Sequence, residues 1–500
     1  MSRATRLSAD RLLDRALQVY AGDPVAVARL EGHRRRLHEP LRVAVAGMVK
    51  AGKSTLINAI IGEEIAPTDA GESTRVVTWY RYGLNPRVTL IAREGEPRGL
   101  PVRRREGRLV LDLAGVPVEE VRHLIVDWPA AGLRNLTLID TPGIGSLSQE
   151  VSARSVTFLT PEDAPSEADA IVYLLRHLHA TDLRFLESFR DVEAGRSGTV
   201  NAIAVLSRAD EVGSGRIDAL VSARTVAERY RHDEGLRSLA LDVVPVAGLL
   251  AQGARTLRQA EYAALAEIAA LDRDERERLL VSADRFVRPV EGLRAAPELR
   301  RAVLERFGLF GIRLASVLLR NGITEPTPLA RELARRSGLD PLLRILADQF
   351  SARAEQLKAR TAVLGVEALL RERPVPEAGE LTAEIERITS SAHELTELRL
   401  LAALRTGAAP LPDEARADAE RLVGGSGVVP YQRLGLREGA SEQEITEAAT
   451  AALARWRRRA ENPLSDRLTV EVCRIVSRSC EAIIASSAPA PGPALVVAAD

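Results

Sequence analysis

The chain has 500 residues, 69 Lys+Arg against 69 Asp+Glu, a formal net charge of zero and a pI of about 7.1. That balance excludes a global field drawing the protein toward nucleic acid or anionic lipid, so any such binding must come from local patches. A hydrophobic content of 46% and a charged content of 28% are globular values, and the length allows roughly two to four domains. The first residues, MSRATRLSADRL, carry no apolar core of signal-peptide type, and stretches such as 314–319 fall far short of the ~20 residues of a membrane span. The two cysteines, Cys473 and Cys480, lie seven apart in a helical pattern, a rise of about 10 Å and too far for a disulfide, which points to a reduced compartment. The arginine triplets at 34–36, 103–105 and 457–459 read as solvated faces.

In chain order, Leu12, Leu13, Ala16, Leu17 and Tyr20 recur at helical spacing, so a helix is predicted over Ser8–Tyr20 with Ser8 as its N-cap and Gly22 as its stop. Asp23-Pro24 begins a second helix reaching about Leu37, since aspartate suits the cap and proline the first turn, and Pro40 ends it. These two helices must bury their apolar faces on something, and helices from the far end of the chain are the expected partners.

Residues 41–62 read LRVAVAGMVKAGKSTLINAIIG. An apolar β-like run ends at Gly47, the segment from Gly47 to Ser54 fits G-x-x-x-x-G-K-[ST], and Leu56, Ile57, Ala59 and Ile60 continue as an amphipathic helix. Gly47 and Gly52 let the backbone curl so that N–H groups converge on phosphate oxygens at the positive end of that helix. The expected nucleotide-binding set here is Gly47, Val49, Lys50, Ala51, Gly52, Lys53, Ser54 and Thr55, with Lys53 on the β and γ phosphates and Ser54 on Mg²⁺. The chain's only lysines are Lys50, Lys53 and Lys358, so a sequence that otherwise uses arginine puts two lysines in this loop. A compact ammonium enters a phosphate cradle where a broad guanidinium does not.

From 41 to about 250, β-like runs (76–82, 87–92, 109–113, 136–139, 171–175, 202–206) alternate with helical or loop segments, predicting an α/β domain with a largely parallel sheet. Leu136 to Ile139 ends in Asp140-Thr141-Pro142-Gly143, where the carboxylate can hold Mg²⁺ through water and the Gly143 N–H can reach a γ phosphate. In the polar loop 66–75, Thr74 is the candidate to close over Mg²⁺ and the γ phosphate. Ser207-Arg208-Ala209-Asp210 stands where GTPases carry [NT]-K-x-D, so Asp210 would pair with guanine and Arg208 stack on it. Ala247, in Val244-Pro245-Val246-Ala247-Gly248, would offer an N–H to guanine O6. A phosphate loop alone does not choose a base, so ATP stays open as the alternative.

Beyond about 250 the strand signals almost vanish. Helices are predicted at 257–271, 274–287, 297–320, 327–336, 341–373, 381–406 and 441–459. In the longest, Leu343, Phe350, Leu357 and Leu364 recur every seven residues, a seam for helix packing along a rod on the order of 50 Å. The expected division is N-terminal helices at 1–39, a nucleotide domain at 40–255, a helical neck and trunk at 256–485, and a disordered tail at 486–500.

With these motifs placed, the chain resembles the bacterial dynamin-like GTPases. The resemblance rests on KAGKSTLINAIIG, on Pro67 followed at the switch-loop spacing by Thr74-Arg75, and on Ser337-Gly338-Leu339 leading into the long helix. It implies an α/β P-loop GTPase head on an extended all-α neck and trunk, and Mg²⁺-dependent hydrolysis of GTP to GDP. Lys50, Lys53, Thr74 and Gly143 would be catalytic, and Ser54, Thr74 and (through water) Asp140 would hold the metal. It also implies self-association through the heads, with Asp182 in the loop 176–182 at the interface, and a peripheral lipid surface on the inner face of the cell membrane. A paralogous dynamin-like partner is possible on this reading, and nucleic acid is not expected. Two departures stand out. Eukaryotic dynamins carry Gln and Ser where this chain has Val49 and Lys50, and that Ser helps hold a monovalent cation whose charge Lys50 could supply. No pleckstrin-type lipid domain is recognisable. The alternatives are a regulatory GTPase whose helical arm binds protein, and an assembly scaffold with negligible hydrolysis. A smaller echo of a J-domain start at 434–445 lacks the H-P-D element, having Asn462-Pro463-Leu464 instead.

Overall fold

The structure, a computed structural model, describes residues 2–68, 75–105, 107–143, 166–189, 201–213, 215–290, 292–391 and 393–487. Two helices, α1 (Ser2–Val19) and α2 (Pro24–His38), lead into the strands β1 (Leu41–Gly47), β2 (Thr78–Tyr82), β3 (Arg87–Ala92), β4 (Arg98–Leu100), β5 (Arg103–Arg105), β6 (Arg108–Val110), β7 (Val121–Trp128), β8 (Leu136–Asp140), β9 (Ala170–Leu175), β10 (Ala202–Ser207) and β11 (Val243–Val246). Helices α3 (Lys53–Ile61), α4 (Ala180–Ser188), α5 (Ala219–Arg231), α6 (Glu234–Arg237) and α7 (Gly248–Arg255) fall between and after them.

Nine strands form one sheet in the order β11-β10-β9-β1-β8-β2-β7-β3-β4, while β5 and β6 pair separately. The run from β11 to β8 is parallel, and the direction reverses where β2 pairs antiparallel with β8. β9 and β10 are buried at every position, as central parallel strands covered on both faces must be. β7 was not among the runs read from the sequence, although it buries Val121, Leu124, Val126 and Trp128.

The helical half comprises α8 (Gln259–Ala270), α9 (Arg273–Leu279), α10 (Ala283–Phe286), α11 (Pro297–Arg320), α12 (Pro326–Arg336), α13 (Leu339–Ile345), α14 (Ala354–Glu372), α15 (Ala378–Ser391), α16 (His393–Arg405), α17 (Asp413–Leu422), α18 (Pro430–Leu434), α19 (Glu442–Ala460) and α20 (Arg467–Ser487). Several expectations are corrected. Ser8 lies inside α1 and caps nothing, whereas Asp23 caps α2 as expected, its Oδ1 accepting from the N–H groups of Val25 and Ala26. α11 is kinked at Gly308 (φ 63°, ψ 170°). The 341–373 rod is interrupted by a wide turn at Leu346–Phe350 and a tight one at Ser351–Arg353. There the Gln349 amide donates to Gly425 O at 3.1 Å and Arg353 donates to Gly424 O, drawing this stretch toward the 423–425 loop. Phe350 and Leu357 of the seven-residue seam stay buried through the break, so the seam keeps its core contacts although the rod is not continuous. The 274–287 segment is two short helices, the second capped by Ser282.

α1 and α2 pack on α14, and α1 also on α15. Tyr20 donates to Arg373 O at 2.7 Å, and Gly365 makes room for the His33 ring, which would lie 2.4 Å from an added Cβ. Across the seam between head and helices, Glu420 pairs with both Arg237 and Arg405. The α19–α20 hairpin starts from a Ser441–Glu444 capping box, an ordinary capped helix. Cys473 and Cys480 are both buried and free. Among the described residues no helix is long and apolar enough to cross a membrane.

The third lysine has a structural use. Lys358, 6% exposed, donates to Leu37 O at 3.0 Å and Glu39 O at 3.1 Å, closing the C-terminal end of α2. Lys358→Met leaves those carbonyls unsatisfied and is expected to cost about 1–3 kcal/mol, read as a lower urea midpoint. A variant as stable as the parent would contradict this role.

Candidate nucleotide site

The site lies at the C-terminal ends of β1, β8, β9, β10 and β11, the end of a parallel sheet where ligands bind. The register sets the geometry: Val45 is level with Asp140 on one side of β1, and Gly47 is level with Leu174 on the other. Gly47 has φ 146°, and a Cβ there would sit 2.4 Å from Leu174 O, so only glycine fits. Gly52 (φ 95°) turns the chain into α3, where no side chain caps the helix start.

Lys53 Nζ donates to Gly47 O (3.3 Å) and Met48 O (3.4 Å), folding back over its own loop. Burial lowers its pKa, opposed by Asp140. The Ser54 hydroxyl donates to Asp140 Oδ2 at 2.9 Å. Burial pushes the Asp140 carboxyl up to about 6, against the pull of Lys53 and Ser54. A hydroxyl and a carboxylate in hydrogen-bond contact are hard oxygen donors, a set that fits Mg²⁺. Gly143 packs on the loop so tightly that a Cβ would lie 2.9 Å from Val49 Cα. Val49 and Lys50 are exposed at the mouth of the site. Thr74 lies outside the described residues.

Toward β10 and β11, a cavity of about 130 Å³ is lined by Ala51, Gly52 and Thr55 of the loop together with Ser207, Arg208, Asp210, Gly248 and Leu249. Ser207 donates to Leu175 O at 3.1 Å, tying β10 to β9. Arg208, at φ 52°, reaches back to Lys50 O at 2.9 Å and pairs with Glu211 at 2.8 Å. Asp210 is 9% exposed, and burial is the first cause of its raised pKa.

Two expectations fail. The Ala247 N–H donates to Ser337 O at 2.8 Å and its side chain is fully buried, so it does not face the cavity; Gly248 and Leu249 do. Asp182 does not present an interface side chain. It is 1% exposed, accepting from the Tyr173 hydroxyl at 2.7 Å and from His179 N at 3.0 Å at the start of α4. His177 and His179 are exposed, and among the described residues no His/Cys/Asp/Glu cluster could hold a metal by itself.

The sequence pattern of the Dynamin family matches residues 43–206, from β1 to β10. The chain is also 43% identical over 491 residues, 97% of this chain and 99% of the relative, to the isoniazid-induced protein IniC of Mycobacterium tuberculosis. The chain belongs to the dynamin-like GTPases. Isoniazid-induced protein IniA of M. tuberculosis is 33% identical over 149 residues (28% of this chain, 22% of the relative). A bacterial dynamin-like protein of Nostoc punctiforme is 28% identical over 162 residues (30% and 22%). As a member of this family the chain hydrolyses GTP, and its α/β head with a helical trunk is the dynamin arrangement.

The inward-facing Asp182 gives a prediction. Asp182→Ala orphans the Tyr173 hydroxyl and uncaps α4, and is expected to cost about 1–3 kcal/mol of stability. Unchanged thermal stability together with lost self-association would restore the interface reading.

Proposed function

We propose that this chain is a self-associating mechanoenzyme that hydrolyses GTP while held peripherally on the inner face of the cell membrane and remodels or maintains that membrane. The observation that carries the nucleotide part is the continuity of the site: loop residues and base-side residues line one cavity, with Ser54 and Asp140 at hydrogen-bond distance beside it. In this reading the loop amides and Lys53 hold the phosphates, Ser54 and Thr74 ligate Mg²⁺, and Asp140 supports the metal's waters. Gly143 senses the γ phosphate, and Asp210 selects guanine with Arg208 over the base. Gly248 and Leu249 take the place expected of Ala247. The bound metal would neutralise charge building up on the phosphates, and the chain's own part is positioning.

Self-association is supported by the exposure of Val49 and Lys50, which leaves the phosphate mouth open for a second head to cover. Val49 cannot orient a water through its side chain, so hydrolysis would be completed by backbone groups, Thr74 and the partner head. Membrane work is supported by family membership, and a second dynamin-like chain is a further candidate partner because M. tuberculosis has both IniC and IniA.

GTP turnover, followed as protein concentration rises with and without anionic vesicles, tests the proposal, with Lys53→Ala as the inactive control. Specific activity should rise with protein and again with lipid. A flat, lipid-blind rate would contradict the membrane reading and leave a regulatory switch with a protein-binding helical arm. If Lys50 supplies the positive charge, exchanging K⁺ for Na⁺ or choline should leave the rate within about twofold, a difference in barrier of less than ~0.5 kcal/mol. A strong monovalent-ion requirement would refute that role.

A further inference from the structure

The base side of the site rests on the helical half at five points. Ser337 O, between α12 and α13, accepts the Ala247 N–H at 2.8 Å, just ahead of the two cavity-lining residues that open α7. Gly338 follows at φ 85°, and a Cβ there would sit 2.1 Å from Pro245 O, so the backbone of the helical half lies directly against the last turn of β11. Midway along α7, a Cβ on Gly253 would lie 2.8 Å from Arg306 O and 2.9 Å from the Phe307 ring. At its C-terminal end Thr256 accepts from buried Arg306 at 2.8 Å through its carbonyl and at 2.7 Å through its hydroxyl. One residue past Phe307, α11 kinks at Gly308, whose added Cβ would be 3.9 Å from Asp210 Oδ2. Both glycines have backbone angles that L side chains rarely adopt, Gly308 lying near Asp210 and Gly338 against the end of β11 just ahead of Gly248-Leu249.

We infer that Gly308 and Ser337-Gly338 are positioning residues for guanine: the glycine joints of the helical half form the seat that holds the Asp210 and Gly248-Leu249 loops in register for the base. The inference rests on the reading that Asp210 pairs with guanine. The phosphate loop itself is framed by β1, β9 and Gly143, and the helical half reaches it only through α3, by Arg306 on Glu64, so the seat bears directly on the base side and indirectly on the polyphosphate.

The test separates base from phosphate. GTP and tripolyphosphate, which has no base, are titrated against the full chain and against Gly338→Ala and Gly308→Ala. Each variant should weaken GTP by about tenfold or more while changing tripolyphosphate by less than about twofold. Equal loss of both ligands, or no loss of either, would overturn the seat. Because a variant can fail to fold, hydrogen exchange on the unmodified chain supplies an independent readout. Amides around 305–310 and 337–340 should gain protection with GTP and not with tripolyphosphate, and the same protection with both would overturn the inference. Asp210→Asn is the control for the underlying reading, since an amide can donate to xanthine O2 where the carboxylate accepts from guanine. A failed switch from GTP to XTP removes the guanine reading itself. A successful switch combined with unaltered GTP-to-tripolyphosphate selectivity in Gly338→Ala removes only the seat.

Discussion

The contact on which the site depends is the close passage of β1 along β9 at its last residue. With no Cβ at Gly47, the backbone can pass the Leu174 carbonyl and turn sharply into the phosphate loop. This fixes where α3 starts, and with it the height of Lys53 and Ser54 above the sheet. On the other side of β1, the pairing with β8 puts Asp140 at the matching level, which is why its carboxylate meets the Ser54 hydroxyl at 2.9 Å. A bulky residue at 47 would displace the loop from both neighbours at once, so the Asp140 side and the Leu174 side share one steric condition.

The helical half is part of the same construction. α7 begins at the base cavity and is held along its length by Ser337, Gly338, Arg306 and Phe307, so the head's final helix is packed from outside the sheet domain. Arg306, 4% exposed, also pairs with Glu261 at 2.6 Å and with Glu64 just past α3, joining the phosphate-loop helix to the same support. Lysine usage follows the local geometry. Lys53 folds over loop carbonyls, Lys358 closes a helix end, and both are sites where a compact ammonium suits converging oxygens.

The parts legible in the sequence were those fixed by local chemistry. The phosphate loop, the β8 carboxylate, the parallel sheet and the Asp23 cap all follow from residue type and spacing. What could not be read depended on distant contacts. Ala247 had the right place in the chain, but its N–H is taken by a carbonyl ninety positions away. Asp182 reads as an exposed loop acid until Tyr173, nine residues earlier on a buried strand, is placed beside it. The seven-residue seam in 341–373 predicted one straight rod, and the pull of Gln349 and Arg353 toward the 423–425 carbonyls breaks it. Gly308 fell inside the helix predicted over 297–320 and Gly338 in the Ser337-Gly338-Leu339 run, and only the fold shows what they lie against.

The central claim is that phosphate loop, Asp210 and the start of α7 form one guanine-nucleotide site. Direct calorimetric titration of the full chain with GTP, GDP and ATP in Mg²⁺ addresses it most plainly. The account predicts saturable binding of both guanine nucleotides and ATP weaker by at least about a hundredfold, close to 2.7 kcal/mol. ATP binding as tight as GTP would contradict it.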